Sequence, residues 1–175
     1  MFAAMKKLSQ ICLTVCVLPV IAGIIVSSTL MVHAQDWVVM ESEEFDVQFE
    51  VPANWETEAE GDTVTSYGNG IVFVLTAVKD DSISTEDLFY AQVDALDIDS
   101  EGEIDDIELR GGILGILGAG VGEIDGEVVG IMLLAATMDD NNYLAYIFAA
   151  PRKFERKADL IADVITSLAP LGYEE

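Results

Sequence analysis

The first 34 residues differ in composition from the rest of the chain. Two lysines precede an apolar run from Leu8 to about Val26, and the segment ends at Ala34. A short basic start, an apolar centre and small residues before the cut are typical of a secretory signal peptide. We therefore predict that residues 1–34 are a signal peptide and that residues 35–175 form one domain, secreted or otherwise extracytoplasmic. Because the apolar run is about as long as the ~20 residues that span a bilayer, an uncleaved membrane anchor is the alternative.

Cleavage after Ala34 would remove every histidine and cysteine of the chain, because His33, Cys12 and Cys16 all precede it. A domain without these side chains cannot form a disulfide, a Ser-His-Asp triad, a thiol nucleophile or a histidine-ligated zinc site. A pair of carboxylates, as in glycoside hydrolases, is the catalytic route that remains, but the spacing singles out no pair. We therefore predict a non-catalytic binding or accessory domain without a required cofactor, with a carboxylate-only hydrolase as the alternative.

Residues 35–175 are strongly acidic. They contain all 32 Asp and Glu residues and six of the eight Lys and Arg residues, so their net charge is six minus 32, or −26. Such a charge repels DNA and RNA, whose binding depends on neutralising phosphates, and it repels an anionic membrane surface. It leaves calcium and cationic partners, or solubility alone. The partner, a protein or a small ligand, is not identified by the sequence.

Apolar runs alternate with turn signals along this domain, which indicates a folded chain despite its charge. Alternating or continuous apolar residues predict strands, and Asn69-Gly70 predicts a tight hairpin turn. A capping residue, Ser84, starts the first helix, and Pro151 precedes the second. The predicted strands are Phe45–Val51 (ended by Pro52), Thr63–Tyr67, Ile71–Val78, Gly111–Gly122, Val128–Met138 and Tyr143–Ala150, with turns at Asp125-Gly126 and Asp139–Asn142 between the last three; the second predicted helix is Arg152–Leu168.

The glycine-rich stretch from Gly111 to Gly122 does not match a nucleotide-binding loop. No Lys-Ser or Lys-Thr follows it, and its glycine spacing differs from the dinucleotide pattern. It is also too short to span a membrane. Since glycine lets other groups pack closely against the backbone, we interpret the stretch as a buried strand with bends. A site for a lipid-like or other apolar ligand is the alternative.

Four features occur in the same order along most of residues 35–175. They are the Phe45-x-Val-x-Phe-x-Val-Pro52-x-x-Trp55 strand, the Asn69-Gly70 hairpin, the Ser84-Thr-Glu-Asp-Leu88 helix start and the closing helix from Phe154 to Leu168. Together they resemble the Mog1/PsbP-like superfamily. The resemblance implies an α+β fold, an antiparallel sheet with helices packed on it as an α/β/α sandwich. It also implies an accessory or binding role, because the superfamily has no shared catalytic site.

An acidic segment after the first helix matches the spacing of a calcium-binding loop. Acidic residues occupy the ligand positions, and Gly102 occupies the position of the sharp turn. The candidate ligands are Asp97, Asp99, Glu101, Glu103 (through its backbone carbonyl), Asp105 and Glu108. Glu101 replaces the usual Asp or Asn, and no exiting helix follows Glu108, so the segment is closer to single DxDxDG-type loops than to an EF-hand. In a chain this acidic, a solvated acidic connection is the competing interpretation.

The positive charge is concentrated at the start of the last predicted helix. Four of the six basic residues of 35–175 lie there: Arg152, Lys153, Arg156 and Lys157. The N-terminus of a helix disfavours cations, so these residues need another reason for their position. We expect them to compensate nearby acidic side chains, with contact to an anion or a partner as the alternative.

Overall fold

The computed structural model describes residues 36–43, 45–78, 82–99, 104–138 and 141–174, which belong to one compact unit, Gln35–Glu175. The predicted signal peptide lies outside these residues. The helices of the described residues are α1 (Thr85–Ala95), α2 (Pro151–Arg156) and α3 (Ala158–Thr166). The strands are β1 (Trp37–Ser42), β2 (Val47–Pro52), β3 (Glu56–Glu60), β4 (Thr63–Gly68), β5 (Ile71–Val78), β6 (Ile104–Glu108), β7 (Leu114–Ile124), β8 (Glu127–Met138), β9 (Asn141–Ala149) and β10 (Ala169–Pro170). In the described part of the chain, no helix is long and apolar enough to cross a membrane.

Seven strands form one antiparallel sheet in the order β3-β4-β5-β9-β8-β7-β6, and β1, β2 and β10 form a smaller one. Helix α1 packs on one face of the large sheet, where Leu88 and Phe89 meet Leu133 of β8. Helix α3 and strand β2 pack on the other face, in the main core that contains Phe49 and Ile161. Side chains alternate along each strand, so β8 supplies both cores in turn. The predicted α+β class, a sheet with helices on it, is confirmed.

The predicted hairpins agree with the structure where the turns are described. Asn69 and Gly70 have φ angles of 51° and 69°, and Asp125 and Gly126 have φ angles of 53° and 81°. Two consecutive positive φ angles are the requirement of the tight turn that joins twisted antiparallel strands. Strand β5 lies between β4 and β9, inside the sheet. Part of the turn predicted at 139–142 lies outside the described residues.

The single helix predicted over Arg152–Leu168 is wrong. Lys157 has φ −121° and ψ 19° and separates α2 from α3. Both helices contact the main core: Phe154 of α2 packs against it over Gly130 of β8, and Ile161 of α3 is buried in it. Helix α3 then ends before Ser167, whose hydroxyl accepts from the Glu50 N–H at 2.8 Å. This contact directs the chain into β10, which pairs with β2.

Candidate functional site

The first predicted calcium ligands lie just after α1. Asp97 has a φ of 47°, and the N–H of Asp99 donates to the carbonyl of Val121 in β7 at 2.8 Å. This hydrogen bond holds Asp99, near the start of the acidic segment, against the glycine-rich strand. The middle of the segment lies outside the described residues: Glu101, Gly102 and Glu103.

Strand β6, which sequence reasoning missed, contains the last two predicted ligands. Successive side chains of a strand point to opposite faces, so Asp105 and Glu108 lie on opposite faces of β6. Both are exposed. One ion could contact both only if β6 left the sheet locally. Within the described ranges, no group of three or more His, Cys, Asp or Glu side chains is arranged to hold a metal ion.

The calcium assignment stays a prediction, and thermal unfolding tests it. A ligand that binds only the folded state stabilises that state, by about 2.7 kcal/mol at a hundred times its Kd. We therefore expect Ca²⁺ to raise the Tm, and Asp97→Ala combined with Glu108→Ala to remove the rise. Asp106→Ala, a control on β6 outside the predicted ligand set, should keep it. An unchanged wild-type Tm at about 1 mM Ca²⁺, the range of extracellular modules, would rule the site out.

Residues 114–122 of the glycine-rich stretch lie in β7, which agrees with the strand interpretation, although the strand is only partly buried. Gly111 and Gly112, predicted to begin the strand, lie instead in a 3₁₀ turn before it. A Cβ on Gly118 would lie 2.8 Å from Cζ of Phe89 in α1, and a Cβ on Gly115 would lie 2.8 Å from the carbonyl oxygen of Ala135 in β8. Contacts this short require one partner to move. The backbone at these two positions is therefore covered by the chain itself, not open to a ligand.

A small apolar cavity lies between α1 and the sheet. Its volume is about 10 Å³, which is room for one water at most. The lining includes Phe89, Ile98, Gly118, Ile131 and Leu133, and no carboxylate of the described residues belongs to it. In this conformation the cavity is too small for the lipid-like ligand considered from the sequence.

The basic residues predicted to start a long helix lie on and just after the short helix α2. Arg152, Arg156 and Lys157 are exposed. Lys153 is half-buried, and its ammonium donates to the carbonyl of Asn69 at 2.5 Å. The ion pair found among the described residues is Arg110–Glu50, at 2.6 Å. None of the three exposed cations makes an ion pair with a described acidic residue, so their compensation of nearby acidic side chains stays a prediction.

A hydrogen-bonded cluster at the edge of the large sheet was missed by sequence reasoning. The single proton of the Tyr67 hydroxyl is shared between Glu56 Oε2, 2.9 Å from the hydroxyl oxygen, and Glu58 Oε1, 3.0 Å from it. These hydrogen bonds raise the pKa of Tyr67 to about 12, because both carboxylates favour the protonated hydroxyl. The three side chains meet because β3 and β4 pair Glu56 with Tyr67. The cluster lies on the open surface of the sheet, where it lacks the enclosed cleft of an acid–base catalyst.

Comparison with known proteins gives a fold relationship. No protein-family model matches the chain, and no curated protein matches it significantly. The solution structure of cyanobacterial PsbP (CyanoP) from Synechocystis sp. PCC 6803 matches with a TM-score of 0.57 at 13% identity, over 82% of this chain and 97% of that one. The chain therefore has the PsbP-like fold, as the resemblance predicted.

Two further solved structures match the chain with TM-scores below 0.5. PA94 of Pseudomonas aeruginosa, a protein of unknown function, matches with a TM-score of 0.49 at 12% identity, over 78% of this chain and 99% of that one. LpqN, described as involved in cell envelope biogenesis of Mycobacterium tuberculosis, matches with a TM-score of 0.48 at 12% identity, over 77% of this chain and 90% of that one. At such identities the function has to be argued from this chain's own surface.

Proposed function

We propose that this chain is an extracytoplasmic, non-catalytic accessory domain that binds an acidic protein partner through α2. The observation that carries the proposal is the set of exposed cations Arg152, Arg156 and Lys157, which form no ion pair with a described residue. The sequence has 32 acidic residues and eight basic ones, so exposed cations without an ion pair to a described residue are unusual here. The PsbP-like fold and the predicted signal peptide support an accessory role outside the cytoplasm.

Helix α2 is held firmly although it is only six residues long and has no side-chain cap. The ring of Phe154 lies where a Cβ on Gly130 would be, 2.5 Å from Cγ. The ammonium of Lys153 is tied to the turn between β4 and β5. A fixed helix presents its charges without a further loss of backbone entropy on binding.

Apolar side chains are exposed next to α2. Val121 of β7 pairs with Gly130 of β8, so it shares the sheet face that Phe154 covers. Val128 lies on the same face two residues before Gly130, and the exposed fractions of the two valines are 47% and 60%. Apolar contact beside arginine is the composition that protein interfaces favour. We call these residues the α2 surface: Arg152, Arg156, Lys157, Val121 and Val128.

The partner is proposed to be a protein because of the charge around the α2 surface. An extended polyanion would reach past α2 and meet the remaining acidic surface, which repels it. A folded partner with a short acidic segment can contact the α2 surface alone. Such binding should weaken as the salt concentration rises, since exposed charges are screened over about 8–10 Å at physiological ionic strength.

Replacing Arg152, Arg156 and Lys157 together by glutamine is expected to weaken partner binding about tenfold. Each exposed charge pair contributes about 0.2–1 kcal/mol, and about 1.4 kcal/mol corresponds to a factor of ten. The measurement is quantitative capture by the tagged protein from its own host, followed by titration calorimetry with the captured protein at two salt concentrations.

The matched control makes the same change in net charge elsewhere. Asn54→Asp, Ala91→Glu and Ala95→Glu replace exposed residues, two of them on α1, across the sheet from α2. This control should bind the partner like the wild type. Equal binding by the glutamine variant and the wild type would refute the α2 surface as the binding site.

A further inference from the structure

Strand β1 is the outer strand of the three-stranded sheet, and β2 is its strand neighbour among the described residues. The N–H of Ala53 donates to the carbonyl of Asp36 at 2.8 Å. This hydrogen bond shows which residue pairs of the antiparallel ladder are the hydrogen-bonded ones. Hydrogen-bonded pairs alternate along such a ladder. The backbone groups of Val38 and Met40 therefore point to β2, and those of Trp37 and Val39 point away from it.

A second contact agrees with this pattern of hydrogen-bonded pairs. Val39 pairs with Glu50, and the N–H of Glu50 points away from β1, because it donates to the hydroxyl of Ser167 at 2.8 Å. The pair is thus a non-hydrogen-bonded one, and the N–H and C=O of Val39 lie on the outer edge. The same holds for Glu41, two residues further on. Trp37, Val39 and Glu41 form one row of backbone donors and acceptors with no strand beside it in the described segments.

The side chains of β1 do not protect this edge. The exposed fractions of Trp37, Val38 and Val39 are 36%, 43% and 49%, and residues 37–40 carry no charge. Natural sheets usually protect their edges with charges, prolines or bulges, because an open apolar edge pairs with other chains.

The two outer strands of the large sheet show the contrast. Strand β3 has the sequence ETEAE, and strand β6 has the sequence IDDIE. Each carries three acidic residues, and like charges oppose the approach of another acidic chain. Both outer strands of the large sheet therefore carry charge, whereas residues 37–40 of β1, one of the two outer strands of the small sheet, carry none.

We infer that β1 is a docking edge, to which an extended segment of a partner protein with basic residues at its ends adds as a fourth strand. Main-chain hydrogen bonds to Trp37, Val39 and Glu41 provide the attachment, as in other cases of strand addition. The flanking charges select the segment, since Asp36 and Glu41 are exposed at the two ends of the apolar run. Lysine or arginine at both ends of the added strand would meet them.

A second copy of this chain does not fit the same edge. Antiparallel pairing of two β1 strands brings Asp36 of one copy to the same end as Glu41 of the other. Like charges close together across strands are destabilising, and each copy carries a large negative net charge. The inference uses a surface separate from α2 and does not depend on the proposed function.

The probe is the synthetic peptide Ac-KITVTIK-NH2, which alternates apolar and polar residues between two lysines. We expect it to bind the protein purified after expression of the full chain. In hydrogen exchange followed by NMR, the amides of Val39 and Glu41 should become at least about tenfold slower, and the amide of Glu58 on β3 should not change. Ac-EITVTIE-NH2 should bind at least about tenfold more weakly.

Two N-methylated versions of the lysine peptide test the main-chain hydrogen bonds. One is methylated at the central valine and the other at both threonines, so each lacks the N–H groups that point to one edge of the added strand. The version that lacks the N–H groups facing β1 should not bind.

Two variants at one position separate the backbone from the side chain. Val39→Pro removes the outward N–H, and proline is tolerated on the outer side of an edge strand, so peptide binding should fall at least about tenfold. Val39→Thr keeps the N–H and the branched shape and should bind within about threefold of the wild type.

Equal binding of all N-methylated peptides, or no change in the exchange rate of the Val39 amide at peptide saturation, would overturn the inference. So would a dimer of the free protein that Val39→Pro dissociates, because a second copy would then occupy the edge. The glutamine variant of α2 should bind the peptide like the wild type.

Discussion

Phe49→Ala is expected to lower the free energy of unfolding by about 3–5 kcal/mol, the range for a fully buried Phe. The exposed fraction of Phe49 is 1%, and its ring centroid lies 5.2 Å from that of Phe73 in β5. This contact joins β2, in the small sheet, to the centre of the large sheet. Alanine would therefore leave a cavity where the two sheets meet. Since domains have a total stability of about 5–15 kcal/mol, the loss should remove a large part of it.

Urea unfolding followed by tryptophan fluorescence measures this effect. The midpoint should shift to lower urea with an unchanged slope, because the surface exposed on unfolding stays nearly the same. Val39→Ala is the control, since Val39 is half exposed and surface changes usually stay within about 0.5 kcal/mol. A loss below about 1 kcal/mol for Phe49→Ala would show that β2 does not pack on the large sheet as described.

Local signals made part of this fold predictable. The β4–β5 turn needs two positive φ angles, and Asn69-Gly70 is the pair of residues that adopts them at low cost. The start of α1 depends on the hydroxyl of Ser84, which accepts from the N–H of Asp87 at 3.1 Å. In both cases the interacting residues lie within three positions of each other, so the sequence contains the whole interaction.

The edge strand β6 was not predictable, because pairing with a neighbouring strand, and not its own sequence, makes it extended. Strand β6 is exposed and acidic, which are poor indications of a strand. It is extended because Asp106 pairs with Ile116 and Glu108 with Leu114 of β7. From their spacing alone, the same residues match the second half of a calcium loop, because the spacing contains no information about the pairing with β7. The division between α2 and α3 is a similar case, because the helical spacing of Phe154 and Ile161 continues across Lys157, where the backbone leaves the helical conformation.

The sequence shows the candidate site as a cluster of basic residues, but it does not show whether these residues are paired with acidic side chains. Four basic residues within six positions can equally be paired with acids or free. Which of the two holds depends on where 32 acidic side chains lie after folding. The structure ties Lys153 to Asn69 and leaves Arg152 and Arg156 exposed. The sequence also contains Tyr67, Glu56 and Glu58, yet their cluster forms only when β3 pairs with β4.

Gly130→Leu is expected to displace α2 and to affect both stability and partner binding. A Cβ at Gly130 would lie 2.5 Å from Cγ and 2.7 Å from Cβ of Phe154, so the ring cannot stay in place. Overpacking of this kind costs about 1–3 kcal/mol. Because Phe154 attaches α2 to β8, its displacement should also move Arg152 and Arg156. Partner binding should then weaken by about as much as in the glutamine variant, although no charge has changed.

A double-mutant cycle tests whether Phe154 is the cause. Phe154→Ala makes room above residue 130, so the double variant with Gly130→Leu should be more stable than the sum of the two single losses predicts, by an interaction energy of about 0.5–3 kcal/mol. Partner binding should stay weak in the double variant, since α2 has lost its apolar attachment. Val128→Leu, an exposed change on the same strand, should leave the free energy of unfolding within about 0.5 kcal/mol of the wild type. Additive losses in the cycle would mean that Gly130 and Phe154 are not in contact, and the α2 surface would then lack the support that its binding role requires.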